Sequence, residues 1–228
     1  DHTVYTVDLL GCGRSDKSSI TYTNFVYVQM ISDFIKKIIG QKTDVIASGF
    51  SGSFVTMACH NEKELFNKIM LINPPSLTQL KQMPNRKDRL LKAALEIPIF
   101  GTLVYHMIVS RDNINNLFIE KMYYNPFHVD NQMSDAYYEA AHKGGYYTRF
   151  LYSSLAAKYI NINICHALKA LDNSIYIVEG ETESNGKAVT DDYCASNPAI
   201  EVSVLKETKH LPHVEAPEAF LEQVKIFF

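Results

Sequence analysis

The chain has 228 residues, 46% of them hydrophobic and 21% charged, which excludes a disordered segment and suffices for a full core without disulfides or metals. Its formal net charge of −3, with no run of Lys or Arg, disfavours a nucleic-acid partner. The four cysteines, Cys12, Cys59, Cys165 and Cys194, lie far apart without ligand spacing, which predicts reduced thiols, a cytoplasmic setting and no metal site.

Thr3–Val7 (TVYTV) is short, β-branched and aromatic and reads as a buried strand. Asp8 to Ser15 follows as a glycine-punctuated loop. Gly11, Gly13 and Arg14 in it read as backbone bracing rather than a phosphate cradle, because no helix opens directly behind them. From Tyr22 to Ile39, Phe25, Val28, Ile31, Ile35 and Ile38 recur at helical spacing, and Gly40 supplies a stop. Asp44–Ala47 reads as a strand, Ser51 to His60 as a helix of small apolar residues, and Lys68–Ile72 as a strand broken by Asn73-Pro74-Pro75.

From residue 77 to 171 the period is helical, aromatics are frequent and no strand is evident, so this stretch reads as an all-helical insertion. Its aromatics are mostly core by type, with some facing a cleft. The uncharged run Ile97–Ser110 is too short for a bilayer and carries Pro98, Gly101 and His106, so no membrane span is expected. Then Ser174–Val178 and Glu201–Leu205 read as strands and Pro217–Phe228 as a helix opened by proline. Strands alternating with helices predict an α/β fold, a mainly parallel sheet covered on both faces. Residues 1–76 and 172–228 form its core, and 77–171 a helical cap.

The stretch VIASGFSGSFVTMA (Val45 to Ala58) is the candidate for chemistry. A strand, a tight Gly/Ser turn and a helix make the context of a nucleophile elbow, whose tip is strained and whose neighbours two residues away must be small. With Gly49 and Ser53 as those neighbours, Ser51 is expected at the tip as nucleophile, Ser48 in the strand and Ser53 in the helix. The Gly52 N–H, at the helix start, is the expected oxyanion donor. A serine needs a base and the base an orienting acid. His210, on the loop after the last strand, and Glu183, on the loop after Ser174–Val178, lie at the same carboxyl edge of a parallel sheet. Asp191 or Asp192 serves as the acid if that loop folds back. His213 reads as structural, at the start of the last helix.

The order Ser51, Glu183, His210 and four segments together resemble the α/β-hydrolase family with a serine nucleophile. VYTVDLLGCGRSD resembles its D-x-x-G-x-G-x-S loop, GFSGS its elbow, VEGETE its G-x-x-D acid loop, and KHLPHVEAPEAF its G-H-x-x-x-x-E-x-P-E-x-F terminus. Ser53, Glu183 and Lys209 depart from the usual Gly, Asp and Gly. The resemblance implies a cap over the site and an ester or related acyl bond of a small, largely apolar substrate, cleaved through an acyl-enzyme without cofactor. It implies equally that a C–C hydrolase, peptidase or haloperoxidase would carry the same triad. A non-catalytic binding relative is the alternative from another class. The family's early strands and His-Gly oxyanion loop would precede Asp1, so the resemblance further implies a longer native chain, a second oxyanion donor upstream, and a missing strand between Thr3–Val7 and Asp44–Ala47.

Overall fold

Four parallel strands, in the order β1 (Thr43–Ser48), β2 (Phe66–Ile72), β3 (Ile175–Gly180) and β4 (Glu201–Leu205), carry the fold. They belong to a computed structural model that describes residues 2–228. A parallel pair cannot be joined by a tight turn, so each of the first three strands is followed by a crossover that returns the chain to its starting edge. The central strands β2 and β3 read as nearly continuous apolar runs, KIMLI and IYIV, because both of their faces are covered. β1 and β4 alternate toward solvent, as edge strands do, and Ile46 of β1 is exposed.

The chain divides into two compact units. The first holds the sheet and comprises Asn24–Met83, Asn116–Val129 and Asn161–Phe228; the second comprises Asp1–Thr23, Pro84–Asn115 and Asp130–Ile160. This partition follows packing rather than the boundaries 1–76, 77–171 and 172–228. Asp1–Thr23 sorts with helices, and 116–129 and 161–171 sort with the sheet.

In the sheet unit, helix α1 (Asn24–Phe34) runs on into a π-helical turn, Ile35–Ile39, and stops at Gly40, as its periodicity predicts. Helix α2 (Phe50–Asn61) packs beside it, with Tyr27 stacked on Phe54 at 4.8 Å between ring centroids. A second apolar layer joins Met70, Ile72, Tyr176, Val178 and Leu205 to Phe220 of the terminal helix Pro217–Phe227. Helices thus flank both faces of the sheet.

The expected strand Thr3–Val7 does not form. The segment has no regular structure, pairs with no strand among the described residues, and exposes Val4, Tyr5 and Val7. β-branched composition favours a strand only where a neighbour completes the ladder, and the unit that contains this segment has no sheet.

The second unit is helical, and 77–171 contains no strand. Its helix Arg86–Glu96 opens with an Asn85–Asp88 capping box and bends by 98° into Phe100–Ile108. No single helix among the described residues is long and apolar enough to cross a membrane. The buried guanidinium of Arg149 donates to the Tyr146 and Glu96 carbonyls and to Thr102 Oγ1. The Asp8–Ser15 loop closes on itself: the Asp8 carboxylate accepts the Arg14 N–H at 2.8 Å, and Ser15 Oγ donates to the Asp8 carbonyl.

Leu71 of β2 is fully buried, and its side chain lies against Gly52 of α2. Leu71→Ala is expected to lower unfolding free energy by about 2–5 kcal/mol, read by urea denaturation.

Candidate active site

The turn between β1 and α2 is an elbow, and its tip is Gly49. Gly49 has φ 57° and ψ −131°, a region that an L side chain scarcely enters, while α2 begins at Phe50. Its N–H donates to the Ile72 carbonyl at 2.9 Å, which holds the turn to the end of the β1–β2 ladder. The small residues two positions away are therefore Ala47 and Ser51. The expectation that Ser51 stands at the tip is corrected: Ser51 is the second residue of α2. Ser53 is buried, its hydroxyl donating to the Phe50 carbonyl at 2.7 Å.

The expected oxyanion role of Gly52 is corrected as well, because its N–H already donates to the Gly49 carbonyl at 3.1 Å. The amide adjoining the tip is that of Phe50, which as first helical residue has no intrahelical acceptor. The sequence misleads here because A-S-G-F-S and G-F-S-G-S overlap. Only the left-handed φ shows which frame the backbone uses.

Glu183 and His210 meet as expected. His210 Nδ1 lies 3.0 Å from Glu183 Oε2, across 27 residues of chain. A carboxylate only accepts, so Nδ1 carries the proton and Nε2 keeps the basic lone pair. Asp191 and Asp192 lie exposed on the helix Gly186–Ser196 and make no bond to His210. The acid and base loops are stitched together: Glu181 N–H to Leu205 O, Thr182 N–H and Oγ1 to Thr208 O, and Glu207 N–H to the Glu181 carboxylate. The His210 N–H donates to Met122 O, and Glu215 accepts the amides of Lys209 and Tyr124.

Asn73, unremarked in the sequence beyond its role as a strand breaker, holds the site together. It is buried at the end of β2 with φ 40°. Its amide nitrogen donates to the carbonyls of Lys209 and His210 at 2.8 and 2.9 Å, and its oxygen accepts the Gly180 N–H at 3.0 Å. Gly180 is itself required: a Cβ there would stand 1.9 Å from the Lys209 carbonyl oxygen.

These groups surround a cavity of ≈ 400 Å³ whose wall includes Gly49, Phe50, Pro74, Glu183 and His210, but not Ser51 and no Lys or Arg. Glu179, a wall residue also missed, is 5% exposed, and its Oε2 has no hydrogen-bond partner. Burial pushes its carboxyl above the usual range, and the Glu183 and Asp191 charges push the same way against a hydrogen bond from Thr190. Its signal in the sequence is a charged residue inside an apolar strand. His213 is held below the ordinary imidazole range by burial first and by His210 second, and its ring leans on Phe220 at 5.8 Å. Among the described residues no three His, Cys, Asp or Glu side chains converge on a possible metal position.

An open parallel sheet with an elbow after its first strand, and an acid and a histidine on the loops leaving its last two, defines a site of the hydrolase type. A profile of the alpha/beta hydrolase family matches residues 1–223, and the chain belongs to that family. Solved structures similar to it include a carboxylesterase of Nitrososphaera gargenis, 16% identical, with 96% of this chain and 77% of that one covered at a TM-score of 0.68. A meta-cleavage product hydrolase of Pseudomonas fluorescens is also 16% identical, with 97% and 77% covered at 0.73. A bromoperoxidase of Bacillus anthracis is 11% identical, with 96% and 79% covered at 0.73. These likenesses show the fold. A search of curated proteins returns no match.

Asn73→Ala would leave a buried N–H and two carbonyls without this partner, and a loss of about 2–4 kcal/mol in unfolding free energy is expected by urea denaturation. Glu179 makes a second test. A carboxyl whose folded pKa is raised holds its proton longer in the folded state, so stability falls as pH rises from the ordinary glutamate pKa to the raised one. Paired denaturation series across that range should show Glu179→Gln lacking this part of the fall.

Proposed function

We propose that the chain hydrolyses an ester or related acyl compound, small and without net negative charge, in the cavity at the carboxyl edge of the sheet. The observation that carries the reading is the 3.0 Å contact between Glu183 and His210 Nδ1, which fixes the imidazole with Nε2 as the base. Family membership supports the hydrolytic class. The carboxylesterase among the similar structures acts on esters by its name, and the meta-cleavage product hydrolase is a hydrolase by its name. The cavity supports the substrate's size and polarity, because Pro74, Pro75 and Val189 supply apolar wall and Glu179 and Glu183 disfavour an anion. The reading does not rest on Ser51, which lies outside that wall. No cofactor is invoked.

A second reading, a binding protein that turns nothing over, is favoured by one observation: the residue at the elbow tip has no side chain. Hydrolysis of p-nitrophenyl esters of rising chain length separates the two. Turnover is expected, falling about 100-fold or more in His210→Ala and by a smaller factor in Glu183→Gln, with both variants folded by circular dichroism. Ligand binding without turnover would establish the second reading.

A further inference from the structure

Resting on that hydrolytic reading, the position of Gly49 has a mechanistic consequence. The nucleophile of an elbow is the residue at its strained tip, where a strand hands the chain to a helix and the side chain is pushed clear of both. Here the tip is a glycine at φ 57°, and an ideal Cβ built on it meets no atom within 4 Å. The place of an attacking side chain is therefore open. It lies on the wall of the same cavity as His210 and Glu183. The three hydroxyls nearby do not fill it: Ser48 ends β1, Ser51 is the second residue of α2 and is not on the cavity wall, and Ser53 is bonded to the Phe50 carbonyl.

We infer that Gly49 occupies the nucleophile position without supplying a nucleophile, so that the site forms no covalent intermediate and a water molecule attacks in its stead. The water oxygen bonds to the substrate's carbonyl carbon as His210 Nε2 takes one of its protons. The negative charge on the carbonyl oxygen is met by the Phe50 N–H beside the tip. The adduct then collapses: the bond from carbon to the leaving oxygen breaks, and the imidazolium returns the proton to that oxygen. One acid and one alcohol leave, and His210 and Glu183 end as they began. The base pair is then retained without a side-chain nucleophile because water needs a base as much as a serine does.

The test pairs a fluorophosphonate probe, which phosphonylates an activated serine, with site mapping by mass spectrometry. Wild-type protein should turn over p-nitrophenyl esters with no burst of p-nitrophenol and take up no probe. Gly49→Ser should take up one phosphonyl group per chain at residue 49, and the uptake should vanish when His210→Ala is added. Gly49→Ala, folded and unlabelled, controls for the strain of a side chain at positive φ. Should Gly49→Ser fold poorly, Gly49→Cys gives an independent readout. Its thiol should alkylate with iodoacetamide at neutral pH roughly tenfold faster with His210 than without it, the effect of about one pKa unit on the thiolate.

A wild-type adduct mapped to Ser51, or a burst that accompanies turnover, overturns the inference and leaves the hydrolytic reading standing. A folded Gly49→Ser that takes no probe, together with a Gly49→Cys indifferent to His210, overturns the placement of residue 49. Absence of wild-type turnover instead removes the hydrolytic reading and the water step with it. In that case, labelling of Gly49→Ser would still support Gly49 at the nucleophile position.

Discussion

The site depends on the side chain of Asn73. One amide group closes three backbone gaps at once, accepting from the last residue of β3 and donating to both carbonyls that precede and include His210. These gaps exist because parallel strands end at slightly different heights, and each loop leaving them must satisfy its first peptide groups without a ladder. A buried asparagine offers two donors and an acceptor in one plane, which suits three nearby backbone groups better than any hydroxyl. The left-handed φ of 40° at Asn73 is tolerated because asparagine is among the few residues that enter that region readily. The direction of the imidazole is therefore set from β2 and β3 as well as from its own loop. Glu183 then fixes its rotation.

Around this centre the charges are arranged with one sign. Two glutamates and no cation line the cavity, and the more deeply buried of the two, Glu179, is raised by desolvation while Glu183 faces the imidazole. A carboxyl kept toward its neutral form and a carboxylate beside a base are different tools a few residues apart on one strand and its loop. The difference comes from burial and partners rather than residue type. His213, three residues beyond His210, shows the same principle with the shift in the opposite direction. Burial and the neighbouring imidazole hold it toward neutrality, which leaves it a packing group.

Much of this was legible in the sequence. β4 was placed to the residue, the other three strands and the flanking helices within a few residues, and the Glu183–His210 pairing by chain order and edge logic. What failed did so for physical reasons. Thr3–Val7 has strand composition without a strand beside it, and composition alone makes no ladder. Asn73 looked like punctuation because its work is done through contacts more than a hundred residues away. The elbow frame is ambiguous in sequence because a serine can fill the motif at residue 51, whereas the backbone requires only a residue that tolerates positive φ. In GFSGS that residue is the first glycine, Gly49, not the first serine, Ser51.

That frame shift also explains why the turn persists. A non-glycine residue in the region Gly49 occupies costs of order 1–3 kcal/mol, which an ordinary elbow accepts because the strain presents its nucleophile. With glycine the strain is gone, yet the geometry remains. It remains because the Gly49 N–H completes the β1–β2 ladder at Ile72 and because α2, starting there, sets Gly52 against Leu71 of β2 and buries Phe54, Val55 and Ala58. The elbow here is thus a property of the strand-to-helix junction rather than of the nucleophile it displays elsewhere. A side chain can be absent from its tip without loosening the fold, while the acid, the base and the cavity beside it stay assembled by contacts to which residue 49 contributes no side chain.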